Sequence, residues 1–127
     1  MERHKGGCHC GAVRFEFGAP EKVSVTHCDC SVCNMTAYEH VFVPQCDVTF
    51  LSGEEALTLY TFGTHAAKYM FCKICGIKPL YIPRSHPGCY SVNLRCVEPG
   101  TLSAAEVITF SGQNWDENID ALRGASP

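Results

Sequence analysis

The sequence has no excess of basic charge. Ten Lys and Arg stand against thirteen Asp and Glu, for a formal net charge of −3 over 127 residues. A broad cationic face for phosphate backbones is therefore missing, and nucleic acid is not an expected partner. Long hydrophobic runs are absent too: no stretch approaches the roughly 20 apolar residues of a membrane span. The start, Met1-Glu2-Arg3-His4-Lys5-Gly6-Gly7, has no apolar segment behind its charges, so neither a membrane anchor nor a cleaved export signal is expected. Helical periodicity is scarce, and repeats, low-complexity tracts and linkers are lacking. With 46% apolar content the chain is expected to form one domain over residues 4–120, with 121–127 a frayed C-terminus.

What the chain has instead is short strands and cysteine. Apolar and polar residues alternate at 12–17 and 23–26. Compact β-branched or aromatic runs follow at 40–43, 48–51, 57–62, 68–71 and 89–94, with Pro44 and Ser52-Gly53-Glu54-Glu55 as punctuation. Seven or eight strands make the fold mainly β. Only two brief helices are predicted, at 31–37 and 116–122.

Seven of the ten cysteines fall in three groups, each at the end of an expected strand: Cys8 and Cys10; Cys28, Cys30 and Cys33; Cys72 and Cys75. Without an export signal the expected compartment is reducing, cytoplasmic or nuclear, where clustered cysteines bind metal or do redox chemistry more often than they form disulfides. Cys72-Lys73-Ile74-Cys75-Gly76 has zinc-knuckle spacing, in which a tight turn aims two sulfurs at one ion and the glycine supplies a positive φ. A closed tetrahedral site needs four ligands, and Cys8 with Cys10 is the candidate second pair. Cys28, Cys30 and Cys33 offer three thiols, which suits a reactive metal with an exchangeable fourth position. Alternatively His27, or one of Cys46, Cys89 and Cys96, closes that site as a second structural one.

Three ordered motifs carry a resemblance. Gly6-Gly7-Cys8-His9-Cys10-Gly11-Ala12-Val13-Arg14-Phe15-Glu16, Cys28-Asp29-Cys30-Ser31-Val32-Cys33 and Phe71-Cys72-Lys73-Ile74-Cys75-Gly76 together resemble the glutathione-dependent formaldehyde-activating enzyme family, over nearly the whole chain. Tyr60-Thr61-Phe62-Gly63-Thr64-His65, Pro83-Arg84-Ser85-His86-Pro87-Gly88 and Phe110-Ser111-Gly112-Gln113-Asn114-Trp115 look closer to its centromere protein V branch. The resemblance implies stacked antiparallel sheets of the Mss4-like type and two Zn²⁺ per chain. The structural ion would sit on Cys8, Cys10, Cys72 and Cys75, and the catalytic one on Cys28, Cys30 and Cys33. It also implies a carbon–sulfur lyase-type activity, the joining of glutathione and formaldehyde into S-hydroxymethylglutathione.

One departure bears on the substrate. Asn34-Met35-Thr36-Ala37 follows Cys33 where many family members carry basic residues, which leaves open glutathione against another small thiol or thiol adduct. Lys73, Lys78, Arg84 and Arg95 are the cations offered for a substrate carboxylate. The competing reading is a non-catalytic, zinc-stabilised binding protein of the centromere protein V kind, with both sites closed.

Overall fold

Alternation with a period of two is cleanest from Arg14 to Ala19. In the computed structural model, which describes residues 2–28, 30–100, 102–110 and 119, this segment is a strand with Phe15, Phe17 and Ala19 buried and Arg14 and Glu16 turned outward. In chain order the strands are β1 Glu2–Gly7, β2 Arg14–Ala19, β3 Lys22–Cys28, β4 Glu39–Pro44, β5 Val48–Ser52, β6 Leu57–Tyr60, β7 Tyr69–Cys72, β8 Leu80–Tyr81, β9 Cys89–Asn93 and β10 Ser103–Phe110. One helix, α1 Ser31–Thr36, lies between β3 and β4. It ends where Ala37 turns left-handed at φ 51°, and the Ala37 N–H closes the last turn onto Asn34 and Cys33 carbonyls.

The strands form three sheets, in the orders β1-β2-β5, β10-β3-β4-β9-β8 and β6-β7. Every pairing among the described residues is antiparallel except that of β10 with β3, which is parallel. The expected mainly β fold of stacked antiparallel sheets is what the chain adopts, with that one parallel edge added. The predicted segments at 23–26, 40–43 and 48–51 lie inside β3, β4 and β5, and the other four fall on strands within a residue or two at each end.

Three strands escaped the pattern. β1 is an edge strand whose charged Glu2, Arg3 and Lys5 face outward while His4 is buried against the Ala19 carbonyl, 3.0 Å from its Nε2. Charge on an edge strand guards against further pairing, and it hides the alternation. β8 is only two residues long, and β10 pairs with a strand some eighty positions earlier. The helix predicted at 116–122 lies outside the described residues apart from Ile119, which is buried beside Cys28 and Phe42. The expected frayed end, 121–127, lies outside them altogether.

Phe15 and Phe17 are fully buried at the centre of the core. Each such ring removed from water contributes about 1.5–3 kcal/mol. The five-stranded sheet supplies Val25, Val41, Val43, Leu80 and Val92 to this core. Its opposite face is also buried but polar and aromatic, with Thr26, His40, Ser91 and Tyr81 all under a tenth exposed. That second face is where the chemistry sits.

Candidate functional site

Cys8 and Cys10 follow β1, and Cys72 and Cys75 lie at the end of β7 in a different sheet. Two tight turns bring them together. Gly76 closes the second turn with its N–H on the Cys72 carbonyl at 2.8 Å, and its φ of 79° is left-handed backbone that favours glycine. Backbone N–H groups point at sulfur: Val13 donates to Cys8 Sγ at 3.3 Å and Ile74 to Cys72 Sγ at 3.4 Å. The four Sγ atoms lie within 4.8 Å of one another, with Cys8 to Cys10 at 3.6 Å and Cys10 to Cys72 at 3.7 Å. Two sulfurs on one tetrahedral zinc at about 2.3 Å are separated by about 3.8 Å, whereas a disulfide would bring them to about 2.05 Å. All ten cysteines are free thiols, so the cluster has metal-site spacing.

The second cluster is local. β3 ends at Cys28, Cys30 stands in extended backbone just before α1, and α1 carries Cys33 on its buried side. The three Sγ atoms again lie within 4.8 Å of one another, and no fourth Cys, His, Asp or Glu among the described residues joins them. Cys46, Cys89 and Cys96 lie in neither cluster. His27 is half exposed, with its Nε2 3.2 Å from Glu39.

The ionisation of these thiols is uneven. Hydrogen bonds from Cys28 and then Cys33 pull the Cys30 thiol down to about 2. The same contact with Cys30 pushes Cys28 up to about 11. Hydrogen bonds to Cys28 and Cys30, with burial, hold Cys33 far above the usual thiol range. Alone, the cluster therefore stabilises one thiolate, and ionising all three needs a cation among them. Both donor sets fit a soft metal ion such as zinc.

Beside the second cluster lies a cavity of about 260 Å³, walled by the three thiols, by Thr26, His40 and Tyr81 from the polar face of the sheet, and by Phe62 and Tyr69. Phe62 stacks on Tyr69 at 5.4 Å between centroids, and Tyr69 stacks on Tyr81 at 4.8 Å. This wall is apolar and rigid. Arg84 is the only Lys or Arg that lines the cavity among the described residues.

The other candidate cations are placed elsewhere. Arg95 is paired with Glu39 at 3.4 Å, and Lys73 is exposed in the knuckle of the first cluster. Lys78 is not set for a substrate carboxylate. Its Nζ is buried without a hydrogen-bond partner among the described residues, 4.7, 4.6 and 4.8 Å from the rings of Tyr38, Tyr69 and Tyr81. Burial lowers its pKa, and the thiols Cys33 and Cys30 work against that. It is a caged positive charge behind the site wall.

Cysteine spacing did not point to His40 or the tyrosine cage, and Lys78, expected to meet a substrate carboxylate, is held in that cage instead. A signal was present. His40 and Phe42 alternate with Val41 and Val43, so one face of β4 is uncharged yet not aliphatic. The same holds for Ser91 and Asn93 around Val92. Such a face is more often solvated, and only the tertiary cover reveals it as buried.

Comparison with known proteins agrees with the sequence motifs. The family model described as glutathione-dependent formaldehyde-activating enzyme matches residues 3–115. A curated protein of Halomonas elongata, provisionally named as a glutathione-dependent formaldehyde-activating enzyme, is 32% identical over 79 residues, which cover 56% of this chain and 50% of that protein. The chain thus spans about half the length of that relative. A Rhodobacter sphaeroides protein of known crystal structure superposes with a TM-score of 0.70 at 39% identity, covering 76% of this chain and 89% of that one. With its family model matched from the first strand to beyond the tenth, the chain belongs to the glutathione-dependent formaldehyde-activating enzyme family.

Proposed function

We propose that the protein is a zinc-dependent carbon–sulfur lyase-type enzyme that joins glutathione or a related small thiol to formaldehyde, giving S-hydroxymethylglutathione. It would hold two Zn²⁺ per chain: a structural ion on Cys8, Cys10, Cys72 and Cys75, and a catalytic one on Cys28, Cys30 and Cys33. The observation that carries this reading is the three-thiol cluster at the wall of a cavity, without a fourth ligand among the described residues. A zinc ion there supplies the Lewis acidity that keeps a thiol ionised at neutral pH. The chain's own residues do the rest. The Phe62, Tyr69 and Tyr81 wall excludes water from the reacting atoms, and Arg84 is the cation placed to take a glutathione carboxylate.

Metal analysis and a glutathione titration test the reading together. Two zinc ions per chain are expected, and in the cobalt-substituted protein glutathione should change the absorption of one site only. Four protein sulfurs at the second site with no response to glutathione would leave the non-catalytic binding protein as the better account.

A further inference from the structure

His40 is 3% exposed, lines the same cavity as the three thiols, and its Nε2 has no hydrogen-bond partner among the described residues. A buried ring nitrogen left unpaired forfeits its hydration without replacement, so a protein that keeps one has a use for it. The rest of the ring is well anchored. Nδ1 lies 2.8 Å from Ser91 Oγ and 3.3 Å from the Tyr81 hydroxyl, and the Tyr38 ring packs 4.6 Å away. The register explains why these groups meet: β4, β9 and β8 are adjacent, and Ser91 pairs with both Phe42 and Tyr81.

The anchoring also sets the proton. Two hydroxyls reach Nδ1, Ser91 at 2.8 Å and Tyr81 at 3.3 Å, and the tautomer is assigned with Nδ1 as acceptor of the nearer one. With Nδ1 accepting, the ring proton of a neutral imidazole sits on Nε2. Neutrality is secured by burial, helped by the positive charge of Lys78, which together push the imidazole down to about 3. The ring lines the cavity that the three thiols wall, which puts a fixed, neutral N–H donor at the edge of that space.

We propose that His40 is a catalytic residue, its Nε2–H holding the oxygen of formaldehyde while a thiolate adds to the carbon. This deepens the thiol-addition reading and rests on it. The thiol first releases its proton to solvent. A lone pair on the thiolate sulfur then forms the carbon–sulfur bond, the carbonyl π pair moves onto oxygen, and the resulting alkoxide accepts the Nε2–H hydrogen bond. Protonation of that oxygen by water completes the hydroxymethyl thioether, with nothing oxidised or reduced. The donor strengthens as charge develops, which places its benefit in the transition state. It also gives the site a preference for adducts that bear a hydroxyl on the carbon next to sulfur.

Three measurements on the zinc-loaded protein test this. The first is exchange between formaldehyde and S-hydroxymethylglutathione, followed by NMR for wild type, His40→Phe and His40→Gln. His40→Phe should lower kcat by about 10²–10³, the usual loss for one oxyanion donor, and His40→Gln, which restores an N–H, should recover at least about tenfold of it. The second is binding of S-methylglutathione, which lacks the hydroxyl and should bind wild type and His40→Phe alike, with unchanged zinc content. The third needs no variant: in ¹⁵N spectra the His40 Nε2–H resonance should shift with S-hydroxymethylglutathione and stay in place with S-methylglutathione. Exchange within about twofold of wild type in His40→Phe, loss of a zinc ion from that variant, or identical shifts with both ligands would each overturn the proposal. If wild type itself does not accelerate exchange, the thiol-addition reading fails, and the ¹⁵N arm still decides whether Nε2–H meets a hydroxyl.

Discussion

The two cysteine clusters are built of the same side chain and differ in sequence separation and surroundings. Cys8 and Cys10 come from the three-stranded sheet, Cys72 and Cys75 from the two-stranded one, and 62 residues separate Cys10 from Cys72. Closing a loop of that length is where a crosslink most constrains the unfolded chain. Cys28, Cys30 and Cys33 close almost no loop. They sit instead on a cavity wall beside a buried imidazole and a caged lysine. A metal tie between distant strands would stabilise the fold, whereas one on a local three-thiol cluster would add little to it and leave a position for ligand. Identity of ligand therefore says less about role than which parts of the chain the ligands join.

The hardest test of this contrast is the pair Cys72→Ser and Cys30→Ser. Structural zinc contributes on the order of 10–16 kcal/mol in small zinc-stabilised folds, as much as the whole stability of a typical domain. Cys72→Ser is expected to lose cooperative thermal unfolding and one equivalent of zinc. Cys30→Ser should also lose one equivalent but keep a cooperative transition, with exchange activity down by at least about 10²-fold. Calorimetry with metal analysis reads both, and equal loss of fold in the two variants would erase the distinction.

Much of this contrast was legible in the chain. The three cysteine groups stand at the ends of β1, β3 and β7, and the knuckle glycine Gly76 occupies the left-handed position its spacing implied. The alternation of Phe15 and Phe17 reported an inward face directly. Less legible was everything set by pairing between distant strands. The Lys78 charge looks like surface until Tyr38, Tyr69 and Tyr81, from three separate parts of the chain, are folded around it. His40 looks like the solvated side of a strand until residues from β8 and β9 cover it. β10 does carry a β-branched and aromatic run, Val107-Ile108-Thr109-Phe110, and only its parallel pairing with β3 lies beyond a local reading.

Lys78 offers a subtler way to sharpen the comparison. Its charge acts on Cys33 and Cys30 and is held off solvent by three rings, so it offsets the negative charge of the second cluster. Lys78→Met keeps the aliphatic stem in the cage and deletes the charge. Metal affinity at Cys28, Cys30 and Cys33 should fall about tenfold, the lower end for loss of a group supporting a metal site, while affinity at the first cluster stays within about twofold. Competition with a chromophoric chelator, which resolves two successive release steps, measures both. Equal weakening of the two sites would mean that Lys78 supports the fold in general.

The smallest effect expected is a pH dependence of stability that belongs to the second region alone. His40 keeps its imidazole neutral in the fold down to about pH 3, while in the unfolded chain it titrates near its ordinary 6.5. Between those values the unfolded state binds more protons than the folded one, so stability is fully present above about pH 6.5 and is lost as the pH falls toward 3. A His40→Phe protein lacks this component. Its unfolding free energy in urea should therefore drop less than that of wild type between pH 7 and pH 5, with both proteins at the same zinc loading so that protonation of the thiolates cancels. A wild-type protein that loses no more stability than His40→Phe over that range would mean that the imidazole is protonated in the folded state.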